Sequence, residues 1–272
     1  MPAAYAHYRF GRDVLSRLPG ALGSEIESRQ SFFHLGLQGP DPLFYYQPLR
    51  SNALGQRGSL IHSQAALNFF RPAGELLRRS PSPELYAYIC GFICHFALDL
   101  HCHGCINRVA AQGGPGHGEQ EAELDRALLR AGGLEVRPGL RLRQFRPSPA
   151  AARVIAPLFP GLSPAQLYRS MLGMKFFDAF LGIREGPALE LVRGTLKLFH
   201  QEERMGMLLA VSGEDPGEPE LLELFAPAMD TAVRLIDDFQ DSAQGRMPFD
   251  PLYKYNFDSC LAGAEMEKKD EI

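Results

Sequence analysis

The chain has 272 residues, 45% hydrophobic and 22% charged, which is enough for one sizeable core. A formal net charge of −4 and a pI near 6.1 exclude a surface built to coat nucleic acid. The opening stretch MPAAYAHYRFGRDVL carries charges early and lacks an apolar run, so no signal peptide is expected and a cytoplasmic setting is inferred.

Glycine and proline (27 and 21 residues) cluster between long stretches of helical periodicity, and few segments alternate with period two. The expected fold is therefore all-α: one multi-helix domain over residues 1–262, then a charged, disordered tail over 263–272. A first helix is expected from Ala4 to Arg17, with His7, Phe10, Val14 and Leu18 on its inward face. Taken alone, His7 is a core histidine held by a hydrogen bond.

Ser31 to Pro48 is expected to form a turn around Gly39, Pro40 and Pro42, pinned to the core by its Phe and Tyr residues. Asp41 stands between two prolines that restrict where its carboxylate points; it suits a functional acid and an acceptor of turn N–H groups equally. His34 is assigned to local backbone. From Ser59 to Arg79 one stripe joins His62, Ala66, Phe69, Ala73 and Leu76, with Pro72 as the point where that helix kinks or divides.

Tyr86 to Asn107 is the central feature. It begins apolar and then places His95, Asp99 and His103 at i, i+4 and i+8, within roughly 80° of one another on a helix. Buried imidazoles and carboxylates are costly unless paired or bound to a metal. The uncharged run from Leu85 to Leu98 is shorter than the roughly 20 residues a membrane span needs, so a buried central helix is expected. Cys90, Cys94, Cys102 and Cys105 point in scattered directions from this helix and are read mostly as small core residues, with Cys102 alone near the His95 direction.

After the loop Ala110 to Gly116, His117 and Glu121 share a face of the helix HGEQEAELDRALLRA and could bind one ion, although for this pair alone a solvated acidic first turn is the more ordinary role. Arg137 to Pro149 is a basic connection, expected to be solvated. Helices follow at Ser163–Ile183 and Ala188–His200, with His200 at a helix terminus, and a long amphipathic one at Glu218–Gln244. The last contains Asp237-Asp238-Phe-Gln-Asp241, a DDxxD string of the kind that binds magnesium in isoprenoid synthases. No second acidic motif accompanies it, and a solvated acidic face explains it.

Taken together, His7, Asp41, His62, His95, Asp99, His103, His117 and Glu121 are more groups than one four-coordinate ion needs, and they imply a multinuclear site. A first-helix histidine, a Gly-Pro-Asp turn, a helix histidine, H-x3-D-x3-H and H-x3-E, in that order, resemble the zinc-dependent phospholipase C family. The turn and the H-x3-D-x3-H helix also resemble the amino-terminal domain of glycosylphosphatidylinositol-specific phospholipase D. That resemblance implies a helical bundle and a hydrolase using hydroxide bound to two or three zinc ions on a phospholipid or other phosphodiester. It implies His62, His95 and Asp99 around one ion, and His103, His117 and Glu121 around a second. His7 would join a third, with Asp99 bridging and Asp41 as the general base.

Two departures accompany the likeness. The secreted bacterial enzymes complete their third site with the amino group of a terminal tryptophan, and this chain has none. The Asp99–His103 spacing is shorter than theirs; an ideal helix keeps His103, not His101, on the ligand face. Two other functions stand beside hydrolysis: a non-catalytic metal-binding or signalling bundle, and diphosphate chemistry at the DDxxD string. Oligomeric state is not readable from the chain.

Overall fold

Ser82 and Pro83 start the longest described helix: the Ser82 hydroxyl accepts from the Leu85 amide, and Pro83 fits the first turn because no intrahelical partner awaits its missing N–H. The computed structural model describes residues 3–48, 50–135, 139–181 and 218–261. Among these the chain is helical. Its helices are α1 (Ala4–Leu15), α2 (Gly20–Glu27), α3 (Gln30–Gly36), α4 (Ala53–Ser63), α5 (Leu67–Arg79), α6 (Pro83–Ala111), α7 (His117–Ala131), α8 (Pro149–Ile155), α9 (Pro164–Leu181), α10 (Glu218–Glu223) and α11 (Phe225–Ala243). Short 3-10 turns occupy Asp41–Tyr45, Ala156–Leu158 and Pro251–Lys254, and no strand occurs among the described residues apart from a single bridge between Tyr255 and Leu261.

Helix α6 is the axis of the bundle, packed by α1, α3 and α11. By length and composition it could cross a membrane, yet 83% of its most apolar stretch is buried inside the protein, as a core helix requires. Ile89, Phe92, Ile93 and Phe96 are fully buried, each contributing about 1.5–3 kcal/mol. That apolar burial offsets the polar stripe further along the same helix.

The α3–α6 crossing is close because both helices present glycine. A Cβ on Gly36 would lie 2.0 Å from the Tyr88 carbonyl oxygen, and one on Gly91 would lie 2.2 Å from that of Phe33. Part of the stretch expected to be a turn is thus helix α3, with Phe33 and Leu35 buried, and the turn proper begins at Leu37.

Three further expectations are corrected. The Ser59–Arg79 stripe divides at Gln64–Ala66, not at Pro72, which stays inside α5 on an exposed position. The break is fixed from outside: the Ala66 amide donates to the Tyr255 carbonyl and the Phe257 amide to that of His62. The expected Glu218–Gln244 helix is two helices parted at Leu224, because Pro227 has no N–H to carry the ladder through. Arg141, expected in solvent, is buried against Asp178 at 2.7 Å. Arg137, the Ala188–His200 helix with His200, and the tail lie outside the described residues.

Helix α1 has no capping side chain of its own. Instead Asp125 of α7 accepts from the Tyr5 and Ala6 amides at 3.2 and 2.7 Å, with Arg141 behind it at 3.7 Å. Burial pushes the Asp125 carboxyl up to about 7 against the pull of Arg141 and the two amides. This cap sets where α1 begins, and so where His7 lands. Asp125→Ala leaves two buried amides without an acceptor and should cost about 2–4 kcal/mol, roughly 5–15 °C in Tm. Asp125→Asn, which keeps one acceptor oxygen, should cost less in the same thermal melt.

Candidate metal centre

Helix α6 runs unbroken through the motif, so His95, Asp99 and His103 stay on one face and all three are buried. His101 turns the other way and meets Thr231 Oγ1 of α11 at 3.0 Å. Asp99 is the hub. Its Oδ1 lies 3.3 Å from both His7 Nε2 and His103 Nε2, and its Oδ2 lies 3.1 Å from His95 Nε2. Helix α1 supplies His7, whose ring stacks on that of His95 at 4.2 Å.

The other ligating groups arrive from three more elements. Gly39 takes a positive φ of 49°, which lets the chain fold against the His95 ring and start the Asp41–Tyr45 turn. Asp41 Oδ1 then lies 3.2 Å from His62 Nε2 and 3.9 Å from His95 Nε2. His62 comes from the last turn of α4. The start of α7 places Glu121 Oε1 3.5 Å from both His103 Nε2 and His117 Nε2. Three groups result whose ligand atoms lie within 4.8 Å of one another: His7, His95 and Asp99; Asp41, His62 and His95; and His103, His117 and Glu121.

These residues fit metal ions, and the clearest sign is their hydrogen bonding. His95 Nε2, His103 Nε2 and Asp41 Oδ1 are buried close to opposite charges, yet none meets a partner with hydrogen-bond geometry. The far side of four of the five rings tells the same story, His7 Nδ1 being buried without a partner. His62 Nδ1 faces the Gly58 carbonyl at 2.9 Å, and His95 Nδ1 the Leu37 carbonyl at 3.2 Å. His103 Nδ1 faces Asp258 Oδ1 at 3.2 Å, and His117 Nδ1 faces Asn107 Oδ1 at 3.2 Å. An acceptor on Nδ1 takes that proton, so whenever a ring is neutral its Nε2 lone pair is directed at the cluster.

Without ions the centre is a tightly coupled charge cluster. Burial by itself would raise Asp99, but His103, His95 and His7 hold its carboxyl well below the ordinary range. Burial would lower His103, but Asp99, Asp258 and Glu121 push it up to about 10. His7 goes the other way: burial and the neighbouring His95 lower it, towards the neutral form that ligates. The cluster opens on a cleft of about 390 Å³ lined by Asp41, Phe44, Ser59, His62, Ser63, Asp99, His103, His117, Glu121 and Asp258. None of these is a lysine or an arginine.

The structure thus brings all eight sequence candidates to one place, and Asp41 is part of one of the three groups that could hold an ion. Among the described residues no cysteine joins a metal-holding group, and Cys102 is a buried free thiol. His34 packs edge-on against Tyr8 instead of serving local backbone. The DDxxD string faces outward, with Asp237 exposed and Asp241 paired with Arg246. Two contributors escape sequence reasoning: Phe257, fully buried against the rings of His62 and His95, and Asp258 beside it. No periodicity or spacing links that pair to the motifs.

Gly39 joins turn and site. A Cβ there would stand 2.2 Å from His95 Cδ2, in a backbone region that costs a side chain about 1–2 kcal/mol. Gly39→Ala should therefore displace His95 or the Asp41 turn. The expected result is a lower Tm for the metal-free chain and fewer bound divalent ions by elemental analysis.

A family model described as zinc dependent phospholipase C matches residues 6–147. Neither a curated protein nor a solved structure matches the chain. The matched stretch spans just over half the chain and carries every one of the eight ligating candidates, from His7 to Glu121. The all-α bundle, the clusters that fit metal ions and this match agree, and the chain belongs to the zinc-dependent phospholipase C family.

Proposed function

We propose that this protein hydrolyses the phosphodiester bond of a phospholipid or a related diester, in the cleft above His95, Asp99 and His103, with two or three zinc ions held there. One observation carries the reading: His103 Nε2 and Asp41 Oδ1, buried without hydrogen bonds, belong to residues lining a cleft of carboxylates and imidazoles, and His95 Nε2, equally unbonded, lies directly behind Asp41 and Asp99. Such a cleft repels a phosphodiester anion until divalent cations reverse its charge. Bound zinc supplies an activated water near neutral pH and positive charge against the diester oxygens.

The chain's own residues then divide the work. His103, His117 and Glu121 would hold one ion; His95, with only Nε2 free, would serve a single further ion, with His62 and Asp41 or with His7 and Asp99 as its neighbours. Asp99, which contacts His7, His95 and His103, would be placed to bridge between ions. Asp41 is the candidate general base. Its turn is braced by Pro40 and Pro42, so its carboxylate is aimed before substrate arrives and can take a proton from the attacking water. The water oxygen bonds to phosphorus, the bond to the alcohol oxygen breaks, and a proton ends on that oxygen. The products are a phosphomonoester and an alcohol. Phe44 beside the cleft offers an apolar wall to the non-phosphate part of the substrate.

Hydrolysis of a short-chain phosphatidylcholine and of a chromogenic phosphodiester should be abolished by a chelator and restored by zinc. His95→Ala should lower it by at least about 100-fold, the upper end of what outer-shell changes cost. Activity that survives either treatment overturns the reading. Zinc binding with no turnover across a panel of diesters assigns the bundle to a non-catalytic role instead.

Metal loading should also release protons. In the metal-free chain His103 is protonated at neutral pH, because its carboxylate neighbours raise it to about 10, and it must give up that proton to ligate. Zinc affinity should therefore rise with pH through the neutral range. Calorimetric titrations in buffers of different ionisation enthalpy should count at least one proton released.

A further inference from the structure

The geometry points to Asp258 as a positioning residue of the metal centre, holding His103 in the tautomer and orientation that present Nε2 to the group it forms with His117 and Glu121. This rests on the metal-dependent reading above and adds to it a residue from beyond the matched stretch, which ends at residue 147. Asp258 lies on a hook formed by residues 255–261.

The hook is built by groups other than the Asp258 side chain. Asn256 Oδ1 accepts from the Asp258 and Cys260 amides at 3.1 and 2.8 Å, and its Nδ2 donates to the Ser63 carbonyl at 3.4 Å. The Tyr255 carbonyl and the Phe257 amide stitch it to the α4–α5 junction, and Ser259 Oγ donates to the Leu100 carbonyl of α6 at 2.5 Å. Phe257 is wholly buried between them. The hook is therefore anchored to the two helices that deliver His62 and His103.

Against that rigid frame the Asp258 carboxylate has a different job. Its side chain is 42% exposed at the cleft, so burial gives it no structural reason to be an acid. Its Oδ1 accepts from His103 Nδ1 at 3.2 Å. The other histidines with an acceptor on Nδ1 use neutral oxygens, from Gly58, Leu37 and Asn107. A carboxylate in this position fixes the ring and makes Nε2 a more basic ligand. It acts on one group of ligands only, since His103 belongs to the group with His117 and Glu121 and to neither of the others.

The test uses the full chain stripped of metal, titrated with zinc against a chromophoric chelator and, separately, with cobalt(II) followed by visible absorption. Asp258→Asn should weaken one zinc equivalent by about 10–100-fold, leave the others within twofold, and alter the cobalt band of that one site. Asp258→Glu should recover part of the loss, and Asp241→Asn, on the far acidic face, should match the unaltered chain. Circular dichroism and Tm of the metal-free variants guard against a broken hook; if the amide variant unfolds, the one-equivalent change is sought in Asp258→Glu. Unchanged binding and cobalt spectrum in the folded variants, or equal weakening of every equivalent, overturns the inference. Absence of zinc binding by the unaltered chain overturns the metal-dependent reading itself.

Discussion

One buried carboxylate governs this structure. Asp99 sits on the most apolar of the described helices, where an unpaired charge would cost far more than any single contact returns. Three imidazoles from two helices answer it, at 3.1 to 3.3 Å. Much of the bundle can be understood as the scaffolding that brings them there. α6 must be straight so that His95 and His103 share its face; α1 must start at a fixed residue so that His7 reaches over; α3 must cross closely so that the Leu37 carbonyl and the Gly39 turn meet His95. The glycine pair Gly36 and Gly91 makes that last approach sterically feasible.

A cluster arranged only to neutralise Asp99 would direct its imidazole N–H groups at the carboxylate. Here most of the rings spend their Nδ1 protons on acceptors outside the cluster, and the inward nitrogens are left facing one another and the acids. With Nδ1 committed outward, an inward nitrogen offers a lone pair whenever its ring is neutral, as coordination requires. The distinction depends on hydrogen-bond direction, not on how many histidines are present.

What was legible in the sequence follows from the range of the forces involved. The H-x3-D-x3-H stripe and the His117–Glu121 pair were readable because helical spacing alone puts those side chains on one face. The α7 boundaries were readable for the same reason, with a glycine loop before and a glycine pair after. The α4–α5 break was not, because it is imposed by backbone groups of Tyr255 and Phe257 from the other end of the chain. Nor was the α1 cap, which belongs to Asp125, or the burial of Arg141, which depends on Asp178 arriving from α9. Pro72 misled because an exposed proline within a helix reads locally like a terminus. Periodicity encodes a face, but a single long-range hydrogen bond leaves no periodic trace.

This division also separates the two parts of the chain by role. The stretch that carries the family's signature, up to residue 147, contains all eight candidate ligands. The later described segments contribute none of them, yet α11 holds the outward face of α6 through Thr231, and Tyr253 and Phe257 close the aromatic core around Phe96. The hook then reaches into the cleft with the one flanking carboxylate that sits outside the ligand groups. A ligand set supplied by neighbouring helices fixes which ions can bind. On the proposed reading, the segment carrying Phe257 and Asp258 sets how firmly His103 is held and what a substrate would meet at the cleft. Substitutions there are then expected to change metal affinity while every candidate ligand in the motif stays in place.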